Sequence, residues 1–262
     1  MIPNWVKERI SKGNTFVISS HINPDADGAG SCAAMAWLLR KLGKTASIVN
    51  AERLPPSFRF LENLFPVSQR PSKTDKSADI WFVLDSSKLV RTGLNIADMP
   101  QELLCIDHHY DNETYGRENW VDGQAPATAE LIFSLIRSYG IAPDLPVAEA
   151  LYAGVLVDTG GFKFSNTGER AFAMSAELMR CGVDSQKIYK SVFLDKSVER
   201  VRLEGTLMSQ AELLLDGRVC VMSHGRDPKG HGRKPGRLGR HLQPHHESAG
   251  RRGGASLRAH RQ

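Results

Sequence analysis

Eight side chains in four short groups carry the chemistry this sequence can do. The first group, His21-x-x-x-Asp25-x-Asp27, sets one imidazole and two carboxylates within a single polar loop. The i, i+2 spacing of Asp25 and Asp27 lets two acids face one locus from different sides. Crowded carboxylates raise one another's pKa unless a cation neutralises them. One imidazole among several carboxylates suits Mn²⁺, Mg²⁺ or a related ion. Asp85 ends the apolar run Ile80–Leu84, and Asp107-His108-His109 ends the run Leu103–Ile106. The last acid, Asp158, stands between an apolar helical stretch and Gly160-Gly161, where the helix dipole disfavours a carboxylate unless a cation is bound. Each group also has a plainer reading. The first could be an Asx-rich turn capping a helix, Asp85 a strand-ending turn residue, the Asp-His-His triplet a surface accident, and Asp158 a helix-terminal acid. Gly28-x-Gly30 as part of a dinucleotide fingerprint lacks the third glycine, and the two aspartates ahead of it would repel a pyrophosphate.

The elements that position these groups follow from the hydrophobic pattern. A short helix carrying Trp5, Val6 and Ile10 precedes a strand over Thr15–Ser19, so His21 follows a strand end. An apolar helix near Ser31–Leu42 stops at Gly43, and a second strand covers Thr45–Val49. Strand, loop, helix and strand in this order predict a right-handed crossover and parallel pairing. Ile80–Leu84 and Leu103–Ile106 have the continuous apolar character of strands buried on both faces. Carboxyl ends of parallel strands are where open α/β sheets bind ligands. Helical patterns then dominate, over Thr128–Tyr139, Val147–Val157, Gly168–Arg180, Ser185–Phe193 and Ser197–Leu215. The fold class is α/β: a parallel sheet with helices on both faces, then a helical linker.

Composition sets the outer limits. With 41% hydrophobic and 24% charged residues, the chain reads as an ordinary soluble globular protein. The net charge of +5 is unevenly placed: residues 223–262 have a balance of +8, leaving −3 for the rest, so the overall charge is no evidence for a nucleic-acid-binding body. Four scattered cysteines without a C-x-x-C pair fit a reducing compartment, and the charged start MIPNWVKERISKGN lacks the apolar core of a signal peptide. No apolar run is long enough to span a bilayer. The expectation is a cytoplasmic protein. After Met222 the sequence has few apolar residues and no period, and holds six of the nine histidines and eight of the 23 glycines. Such a segment is expected to be disordered.

The four groups in series, HINPDADGAGS, VLDSS, IDHH and LVDTGGF, resemble the motif set of the DHH phosphoesterase superfamily. Within it the chain looks most like the bacterial nanoRNase/pAp-phosphatase group, which degrades very short oligoribonucleotides and dephosphorylates 3′-phosphoadenosine 5′-phosphate (pAp). The resemblance covers about residues 1–222. It implies two divalent ions, Mn²⁺ with Mg²⁺ as the alternative, bridged by Asp85. One ion would be completed by His21 and Asp25, the other by Asp27, His108 and Asp158. It also implies that Asp107 orients a histidine and that His109 faces the phosphate. Asn23, Ser31, Arg91 and Lys163 are candidate substrate contacts, with exposed loop positions as the plainer reading.

The same resemblance divides the chain into a DHH domain over 1–195, a linker helix and first strand of an incomplete DHHA1 domain over 196–222, and the basic tail over 223–262. Relatives carry a G-G-H segment in the DHHA1 domain; here Gly253-Gly254 is followed by Ala255, and Gly230-His231 lacks the preceding glycine. The abrupt change of composition is read as a reading-frame shift near codon 223, with a genuine basic tail as the alternative. The expected partner is a short RNA or nucleotide, with no membrane; the oligomeric state stays open, a homodimer included. A manganese-dependent inorganic pyrophosphatase and a non-catalytic metal-binding remnant are the competing functions.

Overall fold

A computed structural model describes residues 1–61, 64, 66–95, 97, 99 and 102–222. Helix α1 (Asn4–Lys12) buries Val6 and Ile10, then strand β1 (Thr15–Ser19) enters the core. Helix α2 (Ala26–Lys41) leads to β2 (Thr45–Val49) and the two-residue β3 (Val67–Ser68). Next come the short helix α3 (Lys73–Lys76), β4 (Ile80–Leu84), β5 (Leu103–Asp107) and β6 (Glu118–Val121). Helices α4 (Thr128–Ser138), α5 (Leu145–Asp158), α6 (Glu169–Arg180) and α7 (Ser185–Tyr189) follow, the last running on as a π-helical turn over Lys190–Leu194. Helix α8 (Val198–Ser209) precedes an antiparallel hairpin of β7 (Glu212–Leu214) and β8 (Val219–Val221).

The main sheet has six parallel strands in the order β3-β2-β1-β4-β5-β6. Every residue of β4 and β5 is buried, as continuous apolar runs require when both faces are covered. Period two assigns the faces. Phe16, Ile18, Phe82 and Leu84 join the larger core with the apolar sides of α2, α4 and α5, while Val17, Trp81 and Val83 join a smaller one beneath Leu89, Leu94 and Tyr115. Helix α3 is tied to that second side by Ser47 Oγ, which donates to Asp75 Oδ1 at 2.6 Å.

Strand order reverses between β1 and β4, so their carboxyl ends diverge into a crevice, the place where such sheets bind ligands. The loop carrying His21 leaves β1 there, and Asp85 leaves β4 beside it.

Three local expectations need correction. Helix α2 begins at Ala26 and not near Ser31, because Asp25 caps it by accepting from the Asp27 and Gly28 amides at 3.0 and 3.1 Å. Asp27 therefore lies in the first turn of a helix. The helix predicted over Ser197–Leu215 ends at Ser209, because Leu215, Asp216 and Gly217 take positive φ (51°, 56° and 82°) and reverse the chain into the hairpin. The helix predicted over Ser185–Phe193 divides at Tyr189 into α7 and the π-helical turn. Among the described residues, no helix is long and apolar enough to cross a membrane. Residues 223–262, with their predicted disorder and shifted frame, lie outside the described residues.

Candidate metal centre

All eight motif residues meet at the crevice. His21 Nδ1 lies 2.8 Å from the carbonyl oxygen of Ile22, which can only accept, so this nitrogen carries the proton and Nε2 is turned inward. Nε2 stands 3.4 Å from Asp85 Oδ2 and 3.7 Å from Asp25 Oδ2. His108 is arranged in the same way. Its Nδ1 faces the Ala125 carbonyl at 3.3 Å, and its Nε2 points at Asp158 Oδ2 (2.9 Å), Asp85 Oδ1 (3.6 Å) and Asp27 Oδ2 (4.0 Å). A backbone carbonyl on one ring nitrogen is the usual way a protein fixes the tautomer and aim of a metal-binding histidine. Asp85 sits between the two groups with φ +55°, a backbone conformation an aspartate tolerates better than most residues. One of its oxygens faces His21 and the other faces His108.

Three sets of donors are close enough to share a cation: His21, Asp25 and Asp85; Asp27, His108 and Asp158; and Asp85, His108 and His109. The fit is supported by one buried atom. His108 Nε2 is enclosed but makes no well-formed hydrogen bond, although Asp158 Oδ2 is only 2.9 Å away. Nitrogen and oxygens converge on a common space, a mixed set in which the carboxylate oxygens suit Mn²⁺ or Mg²⁺ and the imidazoles suit a borderline transition ion.

The electrostatics agree. Burial raises the Asp27 carboxyl well above its ordinary range, and the charges of Asp85 and Asp158 add to this. Asp158 is pushed up to about 6 by burial together with Asp25 and Asp85, despite the contact with His108. Burial alone would raise Asp25 too, but His21 and the amides of Gly28 and Asp27 hold it down at about 2. Burial would lower both His21 and His108; their carboxylate neighbours outweigh it and raise them well above the usual imidazole value. In the metal-free chain, protons thus supply the positive charge that the cluster of acids requires.

Asp107 is fully buried and takes a different part. Its Oδ1 accepts from the His108 amide and from His109 Nδ1, both at 2.8 Å, and its Oδ2 accepts from Asn112 Nδ2 at 2.6 Å. It thereby aims the second nitrogen of the half-buried His109 outward. Burial would lower His109, but Asp107 and Asp85 raise it.

Several contributors escaped the sequence reading. Thr128 Oγ1 donates to Asp85 Oδ1 at 3.2 Å. The Thr128 and Ala129 amides donate to Asp27 at 2.7 and 2.8 Å, so Asp27 caps a helix about a hundred residues away whose own N-cap, Ala127, has no side chain able to do so. Asn112, the Ala125 carbonyl, and Asn166, whose Nδ2 bridges the Pro126 and Asp158 carbonyls, complete the frame. Nothing in local spacing marks these residues; only the fold brings them in. Gly30 has a steric reason: a Cβ there would lie 2.4 Å from the Ala150 carbonyl oxygen, so its absence lets α2 press against α5.

The expected substrate contacts divide. Asn23 is exposed on the His21 loop with φ +53°, and its amide donates to Glu52 Oε2 at 2.7 Å. Arg91 is half-buried, and its carbonyl accepts from the Ile22 amide at 2.7 Å. Lys163 is exposed just beyond Gly160, Gly161 and Phe162, three successive residues of positive φ. Ser31 is fully buried with Oγ donating to Asp27 at 3.4 Å, so burial closes it to a ligand and makes it a support for that carboxylate.

Comparison with known proteins gives a consistent picture. A family model described as "DHH family, N-terminal domain" matches residues 15–155. The bifunctional oligoribonuclease and PAP phosphatase NrnA of Bacillus subtilis is 28% identical over 215 residues, 81% of this chain and 67% of that protein. Its namesake from Thermus thermophilus is 34% identical over 169 residues, 63% of this chain and 50% of that protein. A crystal structure of an exopolyphosphatase-related protein from Bacteroides fragilis superposes with a TM-score of 0.71 at 25% identity, covering 80% of this chain and 65% of that one. The chain thus spans from half to about two thirds of the length of these relatives.

Proposed function

The chain belongs to the DHH family, and from that premise we propose that it is a two-metal phosphoesterase acting on short oligoribonucleotides and on pAp. One observation carries the reading: Asp85 presents its two oxygens to two separate histidines, His21 at 3.4 Å and His108 at 3.6 Å. A carboxylate so placed is suited to bridging. Asp25 and His21 would complete one ion, and Asp27, His108 and Asp158 the other. Divalent ions in such a site supply Lewis acidity toward a phosphoryl group and acidify water.

The chain's own residues do the rest. Thr128 holds the bridging carboxylate by donating to Oδ1, and the amides of α4 fix Asp27. His109, its Nδ1 proton held by Asp107, turns Nε2 outward, and in its imidazolium form is placed to give the Nε2 proton to the departing ester oxygen, as a general acid. Asn23 on the His21 loop and Lys163 beyond Gly161, both exposed, are the candidate contacts for the phosphate.

Mn²⁺ as the resident ion, a cytoplasmic setting and the division into a catalytic domain over 1–195 and a linker over 196–222 belong to the same proposal. The hairpin of β7 and β8 supports the division: Leu213, Leu214 and Val219 are exposed there, as on a strand pair that begins a further sheet. The two relatives named as oligoribonuclease and PAP phosphatase support the substrate class. The test is a panel of RNA dinucleotides, pAp and pyrophosphate incubated with the chain and Mn²⁺. Mononucleotides and phosphate released from the first two are expected. Turnover of pyrophosphate alone, or of none of the three, contradicts the proposal.

A further inference from the structure

Beside the His21 loop, the carboxyl ends of β2 and β3 open into a cavity of about 300 Å³ lined by Asn50, Glu52, Arg53, Leu54, Val67 and Gln69. This is the lower end of the size range for pockets that take small ligands. Two hydrogen bonds join it to the loop on either side of His21. The Ser20 amide donates to Asn50 Oδ1 at 2.8 Å, and the Asn23 amide donates to Glu52 Oε2 at 2.7 Å. The cavity is therefore the neighbour of the metal centre on the β2 side of the sheet.

Its lining has two characters. Leu54 and Val67 give an apolar wall. Around it stand polar groups with capacity to spare. Asn50 commits its carbonyl oxygen to Ser20, which leaves its amide hydrogens as donors. Glu52 commits one oxygen to Asn23, which leaves the other as an acceptor. Gln69 and Arg53 are exposed at the mouth. Apolar faces with donors and acceptors around the edge describe a heteroaromatic base, and a planar guanidinium at the mouth suits stacking on that base or pairing with the attached phosphate.

We propose that this cavity is a nucleobase subsite, holding one base of the substrate while its phosphate lies at the metal centre. The assignment rests on the phosphoesterase reading for the identity of the ligand. It adds that base recognition is built into the catalytic domain itself, through the segment that follows β2. Glu52 makes the link mechanical as well as spatial, since the carboxylate that lines the cavity also holds the backbone of Asn23 in its left-handed conformation.

The test uses the full chain with Mn²⁺ and 2-aminopurine riboside 5′-monophosphate, a fluorescent purine nucleotide. Saturable binding is expected in the unmodified chain. Arg53→Ala and Gln69→Ala, both surface substitutions, should each weaken it by about tenfold, the worth of one good hydrogen bond. No saturable binding, or undiminished binding in both variants, overturns the subsite. Hydrolysis of bis-p-nitrophenyl phosphate, which carries no base, is measured on the unmodified chain to separate the two readings. Turnover of that ester together with undiminished binding in the variants rejects the subsite alone. No turnover together with variant-sensitive binding rejects the phosphoesterase reading and upholds the nucleotide site.

Discussion

The substitution Asp158→Asn should stabilise the metal-free protein while weakening its hold on metal. Asp158 is the last residue of α5, where burial disfavours its negative charge and the charges of Asp25 and Asp85 add to the penalty, against the pull of His108. Its carboxyl is raised from 3.8 to about 6. A displacement of that size is worth on the order of 3 kcal/mol. The sign follows from proton binding. An acid with a higher pKa in the folded state keeps its proton there after the unfolded chain has lost it, so stability falls as pH rises from about 4 to about 6 and stays low above. The asparagine side chain keeps the shape, and its amide oxygen can still meet His108, but the charge is gone. In EDTA at about pH 8 the variant should gain roughly 2–3 kcal/mol, or about 4–12 °C in Tm for a chain of this size. Near pH 4 the gain should shrink toward zero. Adding Mn²⁺ should reverse the order, because the cation neutralises the wild-type cluster and binds the variant less well. Thermal unfolding followed by circular dichroism at both pH values, with and without Mn²⁺, supplies all four comparisons. A variant less stable than wild type in EDTA at the higher pH, or equal stabilisation of both proteins by Mn²⁺, would refute the argument.

Two further substitutions test the frame around the centre. Asn112→Ala leaves Asp107 Oδ2 without its 2.6 Å donor inside the protein, so urea unfolding should show a loss of about 1.5–3 kcal/mol, the worth of a hydrogen bond to a charged group. Its kcat should fall as His109 loses its aim, while metal content stays unchanged. Arg170 ties Asp122 (2.8 Å) to Glu130, and so braces the turn whose Ala125 carbonyl faces His108 against the helix whose amides hold Asp27. Arg170→Ala should weaken Mn²⁺ binding by about 10-fold or more in calorimetric titration, with Arg170→Lys restoring part of it.

How far the sequence reveals this depends on the kind of signal. β4 and β5 are legible because their continuous apolar runs match strands covered on both faces, and β1 and β2 because they flank the loop and apolar helix of a strand–helix–strand unit. β6 is not, since Glu118-Asn119-Trp120-Val121 buries only Trp120 fully and sits at the sheet edge. The start of α2 is hidden because its first turn, Ala-Asp-Gly, has the composition of a loop and becomes helical through the Asp25 cap. Past Ser209 the pattern still looks helical, yet the turn signal of Asp216-Gly217 outweighs it. The motif residues can be found by type and spacing. Their supports cannot: Asp27 meets Thr128, and Asn166 meets Asp158 and Pro126, through contacts that exist only once the sheet and helices are assembled.

The central claim is that one carboxylate joins two cation sites, and metal stoichiometry tests it directly. The purified chain, loaded with Mn²⁺ and exchanged into metal-free buffer, should retain two ions by native mass spectrometry, in line with the donor sets His21–Asp25–Asp85 and Asp27–His108–Asp158, the second of which lies beside Asp85 through His108 at 3.6 Å. Asp85→Ala should retain fewer than two and lose phosphodiester hydrolysis together with them. An Asp85→Ala protein that keeps both ions and its turnover would contradict the account.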